Sequence, residues 1–537
     1  MEENKYWILD TKDLSNIKEV FSGYTIDSKG EFYLYKKPDK LDGTGCYTSI
    51  EIFQNKIIIS QDFLGMQGIY HYKNENRSIF SNAYLKMVDY IINSKLNISL
   101  DKDFCVQYIF SNEEPININD TMIKEIKRLD KEISVEIDKS NGEVNLIEND
   151  WEVNAIKVDS KEAMDILDKW YNKWCIVYRN VVKMQSPILL DLSGGFDSRM
   201  CFGFFLNCNI DRNNVIIKRN LPEKNSYKKN YDDWDISQEI MDKYNFNDRC
   251  NLKYYKKKKG ENLEIFEEFD NLIFGNTKNC DYAGCINSEP VFHFNGIYAD
   301  RQHLGDIDEI NNYLRHKKTK FAKDMKKEDI KLLADLMDKY TDIIFKKYEK
   351  KNRILFLGDF SMEYFNRFFG SKITTKIFHN EIFISPFHDP LFHKIQIHLE
   401  GTKNYYALAC LIYIRYFPDL INFRFQTDST PRKINEEEIK FAKEQCIKYP
   451  YKKIEYEYIP DLTNKNKVIY RKEFDDKNIR LELEKRLKKS EKKFVEIFGK
   501  EYFDLGFKDL SRTNIKMQNY MTPIVSICNI LDKLYNN

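Results

Sequence analysis

Residues Ile188 to Ser198 read Ile-Leu-Leu-Asp-Leu-Ser-Gly-Gly-Phe-Asp-Ser, an apolar strand running into a Ser-Gly-Gly-x-Asp-Ser turn. Such a strand suits the interior of a parallel sheet. At its end Gly194 and Gly195 remove two side chains, so successive backbone N–H groups can approach an anion and adopt dihedrals that other residues resist. Ser193 and Ser198 add hydroxyl donors. The segment Arg199 to Phe205 is apolar enough for a buried helix, whose unpaired N-terminal amides and positive dipole end would face the same anion. The turn reads as a pyrophosphate cradle. Asp197 refines that reading, because a carboxylate beside phosphate makes sense with a divalent cation between them. Mg2+ is usually held by one or two carboxylates plus substrate phosphates, so Mg-ATP is the expected ligand. The turn lacks the Gly-Lys-Ser/Thr of a P-loop and the third glycine of a dinucleotide fingerprint.

If Asp197 holds one side of a Mg2+ ion, a second carboxylate should arrive from another strand end. The stretch Phe292-His293-Phe294-Asn295-Gly296-Ile297-Tyr298-Ala299-Asp300 supplies one, with Gly296 at the turn and Asp300 as the acid. By itself Gly-x-x-Ala-Asp also fits an ordinary strand-to-helix turn capped by Asp; its value comes from its place after the cradle.

At 537 residues the chain is long enough for about two to four domains. To about residue 150 short strands and turns predict a mostly antiparallel sheet region, with helices over 83–92 and 101–110 and a hairpin turned at Asn141-Gly142. A helix over 161–183 leads into the cradle strand. Strands over 188–192, 215–218, 252–255 and 291–295 then alternate with helices, which predicts an α/β fold with a doubly wound parallel sheet and ligands at its carboxyl edge. From about residue 322 the chain reads as aromatic-rich helices. The expected domains are residues 1–152, 160–430 and a helical extension over 431–537.

Lys plus Arg total 85 against 84 Asp plus Glu, so no global field attracts nucleic acid or an anionic membrane. The basic run Lys256 to Lys259 reads as a solvated loop. Neither partner is expected, and a nucleic-acid-modifying enzyme is disfavoured. The 11 cysteines include no Cys-x-x-Cys pair and the 8 histidines no zinc spacing. Reduced thiols and the absence of a basic-then-apolar leader at Met1 to Tyr6 lead to the expectation of a soluble, cytoplasmic protein.

The cradle resembles the PP-loop of the ATP pyrophosphatases, and roughly residues 30 to 425 resemble the asparagine synthetase B family, with its beta-lactam synthetase and lasso-peptide cyclase relatives. Asp62-Phe63-Leu64-Gly65-Met66-Gln67-Gly68-Ile69-Tyr70 is similar to the family's Asp-Pro-x-Gly-x-x-Pro-Leu-Tyr segment. Asn295 to Arg301 resembles its Ser-Gly-x-Gly-Ala-Asp-Glu loop, and Ser385-Pro386-Phe387-His388-Asp389 its Val-Pro-Phe-Leu-Asp segment. The resemblance implies an N-terminal, Ntn-hydrolase-like amidotransferase domain ahead of an ATP-binding synthetase domain. It also implies Mg2+ on Asp197 and Asp300, and adenine against backbone groups near Ile217 and Lys218.

The departures matter as much. Glutaminase members expose a cysteine at residue 2, where this chain has Glu2; Cys46 and Cys105 are internal. An N-terminal nucleophile needs that thiol, so the amidotransferase domain is expected to be degenerate. Ile297 stands at the family's acid/base position and Arg301 follows the acid in place of Glu. Tyr298 next door is a candidate proton relay or a packed phenol. Lys433 is a candidate for the family's late catalytic lysine or a solvated turn residue. The expected activity is an AMP-forming amide ligase that adenylates a small-molecule, saccharide or peptide carboxylate. The amine would come from free ammonia, a separate glutaminase partner, or the substrate itself. The alternative is a catalytically decayed scaffold or binding subunit.

Overall fold

The computed structural model describes residues 5–110, 119–149, 156–219, 229–246, 252–256, 289–296, 325–348, 377, 380–396, 406–426, 434–462, 469–473, 476–510 and 521–535. The chain is a mixed α/β protein with antiparallel sheets at its N-terminal end, a parallel four-stranded sheet later, and helices toward the C-terminus.

The N-terminal region comprises β1 (Ile8–Asp10), β2 (Val20–Ile26), β3 (Phe32–Leu34), β4 (Gly45–Ile52), β5 (Lys56–Gln61), β6 (Tyr70–Asn74) and β7 (Arg77–Ser81). Helices α1 (Tyr84–Asn93) and α2 (Lys102–Phe110) and strands β8 (Ile126–Arg128), β9 (Ile133–Asp138) and β10 (Val144–Glu148) complete it. The strands form two antiparallel sheets, β1-β7-β6-β8 and β10-β9-β5-β4-β2-β3. Alternation explains the core between them: Ile57 and Ile59 of β5 and Val135 and Ile137 of β9 meet Leu9, Ile69 and Phe80 from the other sheet. The β9–β10 hairpin forms as the Asn141-Gly142 signal predicts, with Gly142 at φ +72°.

Helix α3 (Lys161–Lys183) starts at Ser160, whose hydroxyl accepts from the Ala163 N–H. Its apolar stripe, including Trp170, Trp174 and Val181, is buried against the later sheet. Strand β11 (Ile188–Asp191) feeds α4 (Phe196–Asn207); β12 (Ile216–Lys218), α5 (Lys229–Lys243), β13 (Leu252–Lys256), β14 (Val291–Phe294), α6 (Lys327–Tyr348) and β15 (Glu381–Ile384) follow. The parallel sheet has the order β12-β11-β14-β15. One face, with Ile188, Leu190, Phe292, Phe294, Ile382 and Ile384, shares a core with α3, α4 and α5. On the other, Leu189 and Val291 cluster with Ile469.

Strand β13 does not join that sheet. It pairs in parallel with β16 (Ile469–Glu473), a strand inside the segment expected to be wholly helical. The sequence Leu-Lys-Tyr-Tyr-Lys explains the departure, because two lysines do not suit a central strand covered on both faces.

The remaining helices are α7 (Pro390–Gln396), α8 (Ala407–Tyr416), α9 (Glu436–Lys448), α10 (Asp476–Phe498), α11 (Lys500–Leu510) and α12 (Met521–Tyr535). Helix α9 opens with a full capping box between Asn435 and Glu438. Helices α10 to α12 pack on α1 and α2, burying Leu487, Phe494, Tyr502 and Ile527 with Met87, Val88 and Tyr108. The C-terminal helices therefore close back on the N-terminal region. Among the described residues no helix is long and apolar enough to cross a membrane.

Candidate functional site

The cradle lies at the carboxyl end of β11, where α4 begins. Gly195 is the helix N-cap and has no side chain to cap the first turn. Asp197 stands in that first turn. Ser193 N–H donates to Ser198 Oγ at 3.1 Å, the two hydroxyls lie 2.7 Å apart, and Gly195 N–H donates to Ser193 Oγ at 3.1 Å. Ser193, Gly194, Gly195, Asp197 and Ser198 thus form one compact turn.

Of the two roles the sequence suggests for the glycines, room for close approach and unusual dihedrals, the second is not used. Neither Gly194 nor Gly195 has a positive φ, and Gly195 sits at φ −78°, a value open to any residue. Space is what matters at Gly194: a Cβ there would come within 2.8 Å of Ile236 Cδ1 and 2.9 Å of Asp233 Oδ1. At Gly195 a Cβ would meet only Ser193 Oγ, at 3.3 Å.

The second loop reaches the first. After β14, Asn295 N–H donates to Ile384 O at 3.1 Å, and Gly296 comes to lie against the start of α4. A Cβ on Gly296 would fall on Asp197 Cβ and within 2.6 Å of Ser198 N, so only glycine allows this approach. Tyr298 and Asp300, with Ile297 and Arg301, lie outside the described residues, as does Lys433. Among the described residues no three His, Cys, Asp or Glu side chains converge as a metal cage. The donor chemistry present, one carboxylate at the mouth of a glycine turn, still fits Mg2+, which takes part of its shell from phosphate and water.

Beside the cradle runs a row of ionisable groups, of which sequence reasoning had singled out only Lys218. His293 Nε2 lies 2.8 Å from Asp191 Oδ1 and its Nδ1 2.9 Å from Glu381 Oε1; Lys218 Nζ approaches Asp191 Oδ1 at 3.3 Å. The four residues come from four adjacent strands. Register puts them on the face that carries Leu189 and Val291. His293 and Glu381 are fully buried. Burial alone would raise the Asp191 carboxyl, but the charges and hydrogen bonds of His293 and Lys218 more than offset it and hold it well below the usual carboxylate range. The signal available in the sequence was an acid in β11 and a histidine in β14, both otherwise apolar. Lys218, expected at adenine, turns its ammonium to Asp191, and its carbonyl accepts from Leu192 N–H at 3.0 Å. Ile217 is buried in the ladder opposite Leu190.

Arg199 was also missed. Fully buried, it donates to the carbonyls of Gly194, Leu420, Phe423 and Arg424, and its guanidinium lies 3.8 Å from the centroid of the Phe425 ring. Burial lowers it to about 10, so it stays cationic at neutral pH. Phe425 stacks on Phe196 at 4.1 Å, and Phe196 on Tyr406 at 4.7 Å. The cation and the rings fix the polypeptide on both sides of the cradle.

Helix α3 and the N-terminal region brace the sheet on the face they share with it. Lys173 of α3, almost wholly buried, joins Asp42 and Asp389, each at 3.0 Å. Trp170 donates to Pro386 O at 2.7 Å, Trp174 to Asp389 Oδ2 at 2.9 Å, and Tyr24 Oη to Phe383 O at 2.6 Å. Asp389 is thereby a structural acid. Cys46 and Cys105 are buried, which pushes both thiols well above their ordinary values.

Compared with known proteins, the chain matches no family model and no curated sequence.

Proposed function

We propose that the chain is an ATP-dependent, AMP-forming carbon–nitrogen ligase of the asparagine-synthetase type, without glutaminase activity of its own. The observation that carries this reading is the approach of Gly296 to Asp197, which sets the start of the second glycine segment against the cradle at the carboxyl edge of a parallel sheet. The start of α4 at the cradle supports it, since a helix N-terminus with a glycine N-cap suits a polyphosphate.

In this reading Ser193, Gly194, Gly195 and Ser198 hold the β- and γ-phosphates through amides and hydroxyls. Asp197, with Asp300 from the second loop, would hold Mg2+, which when bound offsets charge on the leaving pyrophosphate. Backbone near Ile217 and Lys218 is assigned to the adenine. The substrate carboxylate attacks the α-phosphorus, forming a carboxylate–phosphorus bond and releasing pyrophosphate. An amine then attacks the acyl carbon, expelling AMP and giving up a proton as the amide forms; Tyr298 and Lys433 are the groups proposed to move it. Catalysis rests on positioning and charge, so loss of one carboxylate costs about tenfold to a thousandfold in rate. The Ntn-hydrolase-like N-terminal domain acts as scaffold, holding the Phe383-to-Asp389 segment directly through Tyr24 and, by way of Lys173 of α3, through Asp42.

Pyrophosphate release from Mg-ATP, assayed across small, saccharide and peptide carboxylates with ammonia or amines, tests the proposal. Activity abolished by Asp197→Ala supports it. Failure of the native protein to bind Mg-ATP favours the alternative, a decayed scaffold, for which Ile297 and Arg301 are the motivating residues.

A further inference from the structure

The Gly194 peptide is held from both sides. Its carbonyl accepts from Arg199 Nη2 at 3.0 Å and from Gln426 N–H at 3.1 Å. A buried guanidinium on that carbonyl polarises the Gly194–Gly195 peptide, whose N–H donates to Ser193 Oγ. The Gly194 N–H belongs to the preceding peptide and donates to Asp233 Oδ1 at 2.8 Å. The acceptors of Ser193 N–H and Gly195 N–H are hydroxyls of the loop itself, which a rotation about one bond redirects. Asp233 is different, being a carboxylate from α5, 39 residues along the chain.

Helix α5 is seated on the loop at this point: Ile236 and Asp233 are the atoms a Gly194 Cβ would strike. The next residue, Trp234, is covered by Arg219 at 3.7 Å from its ring centroid, and Arg219 Nη1 donates to Gln238 at 2.8 Å. A carboxylate oxygen therefore occupies one of the backbone donors of the turn.

We propose that Asp233 is an affinity-setting latch, a carboxylate that occupies the Gly194 amide and must leave it for a polyphosphate to enter. This rests on the reading of the turn as a pyrophosphate site and adds its regulation. Two anions cannot share one N–H, and a carboxylate beside an entering phosphate repels it. The latch weakens binding of free pyrophosphate, and movement of α5 raises the affinity.

Calorimetric titration of the full chain with inorganic pyrophosphate and Mg2+ tests this, using Asp233→Asn, which keeps the shape and removes the charge, and Asp233→Ala. Both variants are expected to bind pyrophosphate at least about tenfold more tightly, the scale of one charge-assisted hydrogen bond. Circular dichroism establishes that they fold. Equal affinity in native and variant proteins overturns the latch and leaves the pyrophosphate site standing. Weaker, Mg2+-dependent binding in the variants also overturns it, because Asp233 would then help to hold the metal. No binding by any of the three proteins sinks the pyrophosphate site itself, and the latch with it.

Discussion

His293→Leu is the most informative perturbation of the parallel sheet. In the native protein this imidazole stands between Asp191 at 2.8 Å and Glu381 at 2.9 Å, and Glu381 is fully buried. Leucine fills a similar volume but removes the imidazole that faces the Glu381 carboxyl, the circumstance in which a buried pair costs most. Removing one partner of such a pair destabilises by about 3–5 kcal/mol. The effect must depend on pH. Without the histidine, burial raises the Glu381 carboxyl in the folded state above its unfolded value of about 4.3. An acid with a raised folded pKa binds its proton more tightly when folded, so stability falls as pH rises from the unfolded toward the folded value. Adding Glu381→Gln to His293→Leu removes the charge, and should return about 1–3 kcal/mol at pH 8 and less at pH 5. Urea denaturation followed by tryptophan fluorescence reads this locally, because Trp170 and Trp174 bond to Pro386 and Asp389 just beyond β15. A loss below about 1 kcal/mol for His293→Leu, or a second substitution that destabilises equally at both pH values, would refute the view of a charge-compensated row.

Two further perturbations separate steric from electrostatic roles. Gly296→Ala sets a methyl group against the backbone of Asp197 and Ser198, which no rotamer change relieves, whereas a methyl at Gly195 meets only Ser193 Oγ. Gly296→Ala should cost about 1–3 kcal/mol in denaturant midpoint and abolish Mg-pyrophosphate binding, while Gly195→Ala leaves stability within about 0.5 kcal/mol; equal effects of the two would contradict the close approach of the loops. His71, stacked on Phe80 at 4.3 Å, is lowered to about 4 by burial, with Lys73 adding to it. It is neutral in the fold, so the unfolded chain takes the proton first, and stability is lost as pH falls from about 6.5 to about 4 and is level below that. His71→Phe should remove about 2 kcal/mol of the stability difference between pH 7 and pH 5; an unchanged difference argues against a buried neutral imidazole.

What the sequence disclosed, and what it hid, follows from the range of each interaction. Apolar periodicity and the Ser160 cap delimit α3, alternation delimits β5 and β9, and the cradle is legible because a strand, a glycine pair and a helix start are contiguous. The pairing of β13 with β16 joins residues more than 200 positions apart, and no local pattern encodes it. The charged row is of the same kind: Asp191, Lys218, His293 and Glu381 each look like an isolated polar residue at a strand, and only the order β12-β11-β14-β15 makes them neighbours. Asp233 was hidden differently, since it sits in the polar stretch Asp232-Asp233 of an amphipathic helix, where a solvated face explains it equally well. The same logic revises the glycine argument. Gly194 was read both for the room it leaves and for its dihedral freedom; its φ is not positive, and the space it vacates is claimed by Ile236 and Asp233 from α5. Whatever enters this turn must contend with a helix that sequence places far away, which is why Gly194, Asp233 and Arg199 belong to one site rather than to three separate elements.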